Sequence, residues 1–166
     1  MVLFYYLQTS YSILKGDKIM KYKNVYLAGP LFTREEQLIR RDDVAKLRAA
    51  FPDTTFFSPL EVELSVDDPS ITNAESTHDF YFNSDLNAIK SADLLIIDFA
   101  NDDNGTILEA GMCYGYGKPY IVINSDFRLC ETGGMHRNSF VRGFEKQALL
   151  VANNIEEVID YLQINA

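Results

Sequence analysis

The chain has 166 residues, with 15 lysines and arginines against 24 aspartates and glutamates, a formal net charge of −9 at pH 7. That length fits one domain with a sizeable core, and the negative charge argues against an extended nucleic-acid backbone as a partner while leaving a small, weakly charged ligand open. Two cysteines, Cys113 and Cys130, argue against a disulfide framework or a cysteine-based zinc site. Cys113 reads as a buried thiol, and the balance favours a cytoplasmic protein.

Residues 1–14, MVLFYYLQTSYSIL, are apolar but too short to span a membrane, and no basic segment precedes them as in a secretory signal. Met20 is followed at once by KYKNVYLAGP, which opens the first convincing strand. Residues 1–19 therefore read as a dispensable extension from a start site upstream of the natural one. The rival is an arm that packs on a neighbour. Residues 20–166 make the domain.

The elements alternate from there. Residues 24–28 read as a strand ending in Gly29-Pro30, a loop signal. Thr33, with Glu36 three residues on, is a capping box for a helix to about Ala50, with Leu38, Ala45 and Leu47 among its apolar positions. Phe51-Pro52-Asp53 breaks it, and residues 54–57 make a second strand stopped by Pro59. Residues 61–77 read as a polar, irregular loop, functional or mobile at that length. A helix over 79–90 leads into Leu94, Leu95, Ile96 and Ile97, a continuous apolar run that suits a parallel strand covered on both faces. Asp98 closes it, a polar turn follows, and Asp103 or Asn104 caps a helix over 106–116 with small residues at Ala110, Gly111 and Gly115. A strand over 119–123, a long loop over 124–138 holding Gly133 and Gly134, a short helix over 139–147, a strand over 148–151 and a helix over 155–162 complete the chain. The pattern predicts an α/β fold, a doubly wound five-stranded parallel sheet, flavodoxin-like in its order 2-1-3-4-5, with ligands at the C-terminal strand edge.

Few residues offer chemistry there. No phosphate-binding glycine motif is present, because Gly111, Gly115 and Gly117 lie inside or after a helix. His78 and His136 sit far apart in loops and read as surface residues. Four carboxylates remain near strand ends: Asp85, Asp98, Asp103 and Glu109. Each has a plainer reading as a cap or a solvated charge, and capping alone would explain Asp103. Glu109 lies about a turn and a half into its helix, among Ile107, Leu108, Ala110 and Met112. The helix dipole and free amides favour an ionised carboxylate at such an end. An ionised carboxylate in a cleft is what a glycosyl-transferring enzyme uses as nucleophile. A purely structural Glu109 stays open beside that reading.

The segments VYLAGPLF, FNSDLNAIKSADLLIIDF and DDNGTILEAGMCYGYGKP, in this order from Val25 to Pro119, resemble the nucleoside 2-deoxyribosyltransferases. The likeness continues more weakly through Arg137, Asn138, Ser139 and Phe140. Its most specific part is the spacing of Asp103 and Glu109 ahead of a small-residue helix, joined to Asp85 and Asn87. The resemblance implies an enzyme that moves 2-deoxyribose between nucleobases by a retaining double displacement, with Glu109 attacking the anomeric carbon. It implies that Tyr26 hydrogen-bonds that nucleophile, although a core tyrosine is an equal reading of the residue alone. Asp85 takes the place of an acid facing the nucleobase and Asp103 that of an aspartate near sugar and base; the proton donor is one of these two. Asn138 takes the place of a loop asparagine that reaches the sugar in a neighbouring subunit's site. Glu63 stands where the family has a base-recognising glutamine, and a carboxylate accepts from an exocyclic amine but lacks the amide donor.

The implied partners are a deoxynucleoside and a free nucleobase, with no metal or organic cofactor, no nucleic-acid polymer and no membrane, in a homo-oligomer with shared active sites. Two other readings stand beside it. One is a 2'-deoxynucleoside 5'-monophosphate N-glycoside hydrolase, for which Arg34 would serve the phosphate. The other is a nucleoside- or nucleotide-sensing module without turnover. Deletion of residues 1–19 is expected to leave the melting temperature and activity almost unchanged; a large loss of either would show that the arm packs.

Overall fold

The computed structural model describes residues 20–63, 72–99, 103–126 and 138–166. Residues 1–19, the centre of the first polar loop, and Cys130, Gly133, Gly134 and His136 of the second lie outside the described residues. Strands β1 (Asn24–Ala28), β2 (Thr55–Phe57), β3 (Leu94–Asp98), β4 (Tyr120–Ile123) and β5 (Val151–Ala152) form one sheet in the order β2-β1-β3-β4-β5, and every neighbouring pair is parallel. Helices α1 (Arg34–Ala50), α2 (Ala74–Ser91), α3 (Asn104–Gly115), α4 (Ser139–Glu145) and α5 (Ile155–Ile164) connect and follow them. The doubly wound, five-stranded order expected from the alternation of elements is the order observed.

Alternation along the strands divides the core in two. Val25 and Leu27 of β1 and Leu94 and Ile96 of β3 pack with Val44 and Leu47 of α1 and Val158 and Leu162 of α5. Tyr26 and Ala28, with Leu95 and Ile97, face the other way onto Ile89 of α2 and Ala110 and Cys113 of α3. All five residues of β3 are buried, which is why its sequence is an apolar run rather than an alternating one. Each such aliphatic side chain stabilises the fold by about 1.5–3 kcal/mol over its exposed state.

Capping chemistry sets the helix ends. Thr33 and Glu36 form the expected capping box on α1. α2 starts at Ala74, five residues before the predicted start, because Asn73 and Ser76 make a second capping box within the stretch read as irregular. A 3-10 turn, Pro59–Glu61, leads into that stretch. α3 ends in a Schellman motif: the Gly117 amide donates to the Tyr114 carbonyl and the Lys118 amide to the Cys113 carbonyl, both at 3.1 Å. Gly117 carries the left-handed backbone that this motif requires, at φ 64°. Along α1 the buried face is Arg40, Asp43, Val44 and Leu47, while Leu38 is 56% exposed and Ala45 is exposed. The apolar positions read for α1 were therefore only partly those of the core. No helix among the described residues is long and apolar enough to cross a membrane.

Candidate active site

The site is built where β1, α2 and α3 meet. Tyr26 points from β1 into the α2–α3 face of the sheet and is fully buried. Its ring stacks on Phe57 of β2, centroids 5.4 Å apart and planes 15° from parallel, so the ring is held on one side by the neighbouring strand. Thr106, Ala110 and Cys113 form the sheet-facing stripe of α3. Glu109, three residues after Thr106 and four before Cys113, falls on the same side. The result is a 2.6 Å hydrogen bond in which the Tyr26 hydroxyl donates to Glu109 Oε1.

That contact has a definite electrostatic setting. Burial raises the Tyr26 hydroxyl far above its ordinary value, and the charges of Glu109 and Asp85 push it in the same direction, so it stays a neutral donor. Burial pushes the Glu109 carboxyl up to about 7; the Tyr26 hydrogen bond opposes this, while Asp85 and Asp103 add to it and Arg40 opposes it. A carboxyl in this range is poised to gain or lose its proton near neutrality. Asp85, half-buried on α2, is likewise pushed up by burial, to about 6. Among the described residues its Oδ1 is buried and has no hydrogen-bond partner. An unsatisfied buried oxygen of this kind costs about 1–3 kcal/mol, so a side chain that keeps one is a functional candidate.

Asp103 is the N-cap of α3. Its Oδ2 accepts from both the amide and the hydroxyl of Thr106, each at 2.6 Å. Capping is thus demonstrated for Asp103, and its charge still acts on Glu109. Tyr26, Glu109, Asp85 and Asp103 therefore share one electrostatic cluster. Among the described residues, Asn138 and Glu63 make no hydrogen bond to it. Asn138 is exposed and caps α4, its Oδ1 accepting from the Phe140 amide at 2.8 Å. Glu63 is exposed two residues past the 3-10 turn.

Sequence reading passed over a second charged group at the same strand edge. Arg40 of α1, 2% exposed, donates through Nη2 to Asp98 Oδ2 at 2.5 Å and lies 3.5 Å from Asp43 through Nη1. The signal was present: Arg40, Val44 and Leu47 follow the spacing of one helix face, which puts an arginine in line with core residues.

The raised Glu109 value has a consequence for stability. Above the ordinary glutamate value the unfolded chain has released a proton that native Glu109 still holds, so raising the pH from about 4.5 through about 7 favours unfolding. Glu109→Gln is expected to be more stable than wild type at pH 8, by on the order of 2 kcal/mol, with the gain vanishing near pH 4. Urea unfolding at the two pH values measures both, and an equal gain at both would contradict the assignment.

Comparison with known proteins bears on the fold and the family. A curated relative from Ureaplasma parvum, described as an uncharacterized protein, is 30% identical over 152 residues, covering 84% of this chain and 94% of that protein. A solved structure of a conserved protein from Enterococcus faecalis shares the fold at 19% identity, with a TM-score of 0.69 over 87% of this chain and 99% of its own. The solved 2-deoxyribosyltransferase of Bacillus psychrosaccharolyticus is 26% identical with a TM-score of 0.61, covering 83% of this chain and 91% of that one. The family model described as nucleoside 2-deoxyribosyltransferase matches residues 25–153, a span that takes in the sheet from Val25 of β1 through β5 and the Tyr26–Glu109 pair, and the chain belongs to that family.

Proposed function

We propose that the protein transfers 2-deoxyribose between nucleobases, with Glu109 as nucleophile. The observation that carries this reading is the hydrogen bond from buried Tyr26 to Glu109 Oε1, which orients the carboxylate and leaves Oε2 for attack. In the first half-reaction Oε2 bonds to the anomeric carbon as the N-glycosidic bond breaks. The departing base takes the bonding electrons and a proton from Asp85 or Asp103. In the second half an acceptor base attacks the anomeric carbon, the ester bond breaks and the Glu109 carboxylate is restored. The acceptor's proton returns to the same acid. Two inversions give net retention. Asp85 is the better donor of the two, because Asp103 Oδ2 is engaged by Thr106 whereas Asp85 carries an unsatisfied oxygen and a raised carboxyl.

Base recognition by Glu63 and sugar recognition by Asn138 belong to the same proposal, as do a cytoplasmic setting and a homo-oligomer in which the loop over 124–140 completes a neighbour's site. Support for assembly comes from the outer face of α3, where Ile107, Leu108 and Tyr114 are 40%, 56% and 54% exposed beside the open backbone at Gly111 and Gly115. The monophosphate hydrolase and the sensor are told apart from the transferase by assay: monophosphate cleavage marks the first, and binding without turnover the second.

Glu109→Ala is expected to fold and to lose base exchange by several orders of magnitude. Wild type incubated with a deoxynucleoside and no acceptor should carry a deoxyribosyl ester on Glu109, read by intact-protein mass and peptide mapping. Retained exchange in folded Glu109→Ala removes the reading. The reaction needs Glu109 ionised and its partner acid protonated, so kcat/KM should follow a bell whose top lies between about pH 6 and about pH 7. Asp85→Asn should flatten the alkaline limb and slow poor leaving bases more than good ones. An unchanged profile in this variant would move the acid role to Asp103.

A further inference from the structure

Helix α2 brings Asp85 to the site, and apolar packing holds that helix only lightly. Among its described residues, Ala74–Ser91, only Ile89 is buried. A cavity of about 110 Å³ lies under its last turn, lined on the helix side by Ala88, Ser91 and Ala92 and on the sheet side by Asn24, Thr55 and Phe57. The small side chains of that turn leave the space unfilled. Helix α3, which carries Glu109, is seated differently. Thr106, Ala110 and Cys113 are buried along it, and its two ends are fixed by the Asp103 cap and the Schellman turn.

One side chain joins the C-terminal ends of the two helices. Lys118 directly follows Gly117 of the Schellman turn, and its Nζ donates to the Lys90 carbonyl at 2.7 Å and to the Ala92 carbonyl at 2.8 Å. These belong to the last turn and the cap of α2, where carbonyls lack partners within a helix. A cation there also meets the negative end of the helix dipole. The root of the lysine does not move freely. Its amide donates to the Cys113 carbonyl at 3.1 Å, and its own carbonyl accepts from Cys113 Sγ at 3.7 Å. The next carbonyl, of Pro119, accepts from the Leu95 amide of β3 at 3.1 Å. Lys118 therefore spans from a fixed point after α3 to the end of the loosely packed α2.

Helical rise turns these contacts into placement. Asp85 precedes Lys90 by about 7.5 Å along the axis of α2, and Glu109 precedes Cys113 by about 6 Å along α3. A strut between points so near both carboxyls sets how the two helices stand to each other. Misplacing a reacting group by about 1 Å can cost about a hundredfold in rate.

We infer that Lys118 is a positioning residue for Asp85: rooted in the turn after α3, it holds the end of α2 and sets the spacing between the helices that carry the proposed acid and nucleophile. The catalytic meaning of that spacing rests on the roles proposed for Asp85 and Glu109; the spacing itself is tested without turnover. Lys118→Met keeps the stem and removes the donors. The Asp85 carboxyl is followed by carbon-13 NMR on the full chain labelled at aspartate carboxyls, with Asp85→Asn giving the assignment. Burial holds this carboxyl up, at about 6. If α2 shifts off α3, Asp85 gains solvent and its titration should fall by about half a pH unit or more. Loss of the lysine charge by itself moves it the other way, so a fall marks displacement. Lys118→Arg keeps donors on a long stem and should stay near wild type. In base exchange, Lys118→Met should lower kcat by about tenfold or more for poor leaving bases and by less for good ones.

A lysine that merely caps α2 predicts a lower melting temperature in Lys118→Met, an Asp85 titration unmoved or raised, and an equal loss for every base. Either an Asp85 titration that does not fall or an equal loss for every base overturns the inference. If Lys118→Met fails to fold, Lys118→Gln, which shortens the reach and keeps an amide donor, takes its place under the same readings. If wild type shows no base exchange, the transferase reading fails and the Asp85 titration decides the strut alone: a fall supports it, and no fall overturns it.

Discussion

The hydrogen bond from Tyr26 to Glu109 is short because two separate elements are fixed on either side of it. The tyrosine cannot swing, being enclosed in the sheet and stacked on Phe57. The glutamate cannot retreat, because α3 is pinned at one end by the Asp103 cap and at the other by the Schellman turn at Gly117. A sheet covered on both faces excludes water from its middle and leaves polar groups viable only at strand ends. The cluster of Tyr26, Asp85, Asp103 and Glu109 occupies the margin between those two regions. Burial there raises the proton affinity of Asp85 and Glu109.

Much of the fold was legible because its signals are local. The apolar run of β3, the Thr33–Glu36 box and the Asp103 cap each act within a few residues, and each holds in the structure. α2 was read five residues short for the same reason: Asn73 with Ser76 is a less familiar box than a threonine with a glutamate, and it lay in a stretch rich in loop formers. Leu38 was read as an apolar position of α1 and stands exposed, while Arg40 occupies the buried face. Hydrophobic periodicity alone does not find an inward arginine whose partner, Asp98, lies 58 positions away.

The site was legible to a different degree. Glu109 and Tyr26 could be named from motifs, but their contact joins residues 83 positions apart and is a property of the folded sheet. Asp103 shows how one side chain supports two explanations, since its cap is visible and its charge also acts on Glu109. The carboxyl cluster and the arginine lie on opposite faces of the same strand ends.

The sheet's outer strands carry a last implication. β2 has three residues and β5 has two, against five in β1 and β3. An edge that short offers few free backbone groups to a neighbouring chain and is a poor template for strand addition. Growth by edge-to-edge pairing, the route to fibrous aggregates, is blunted on both flanks.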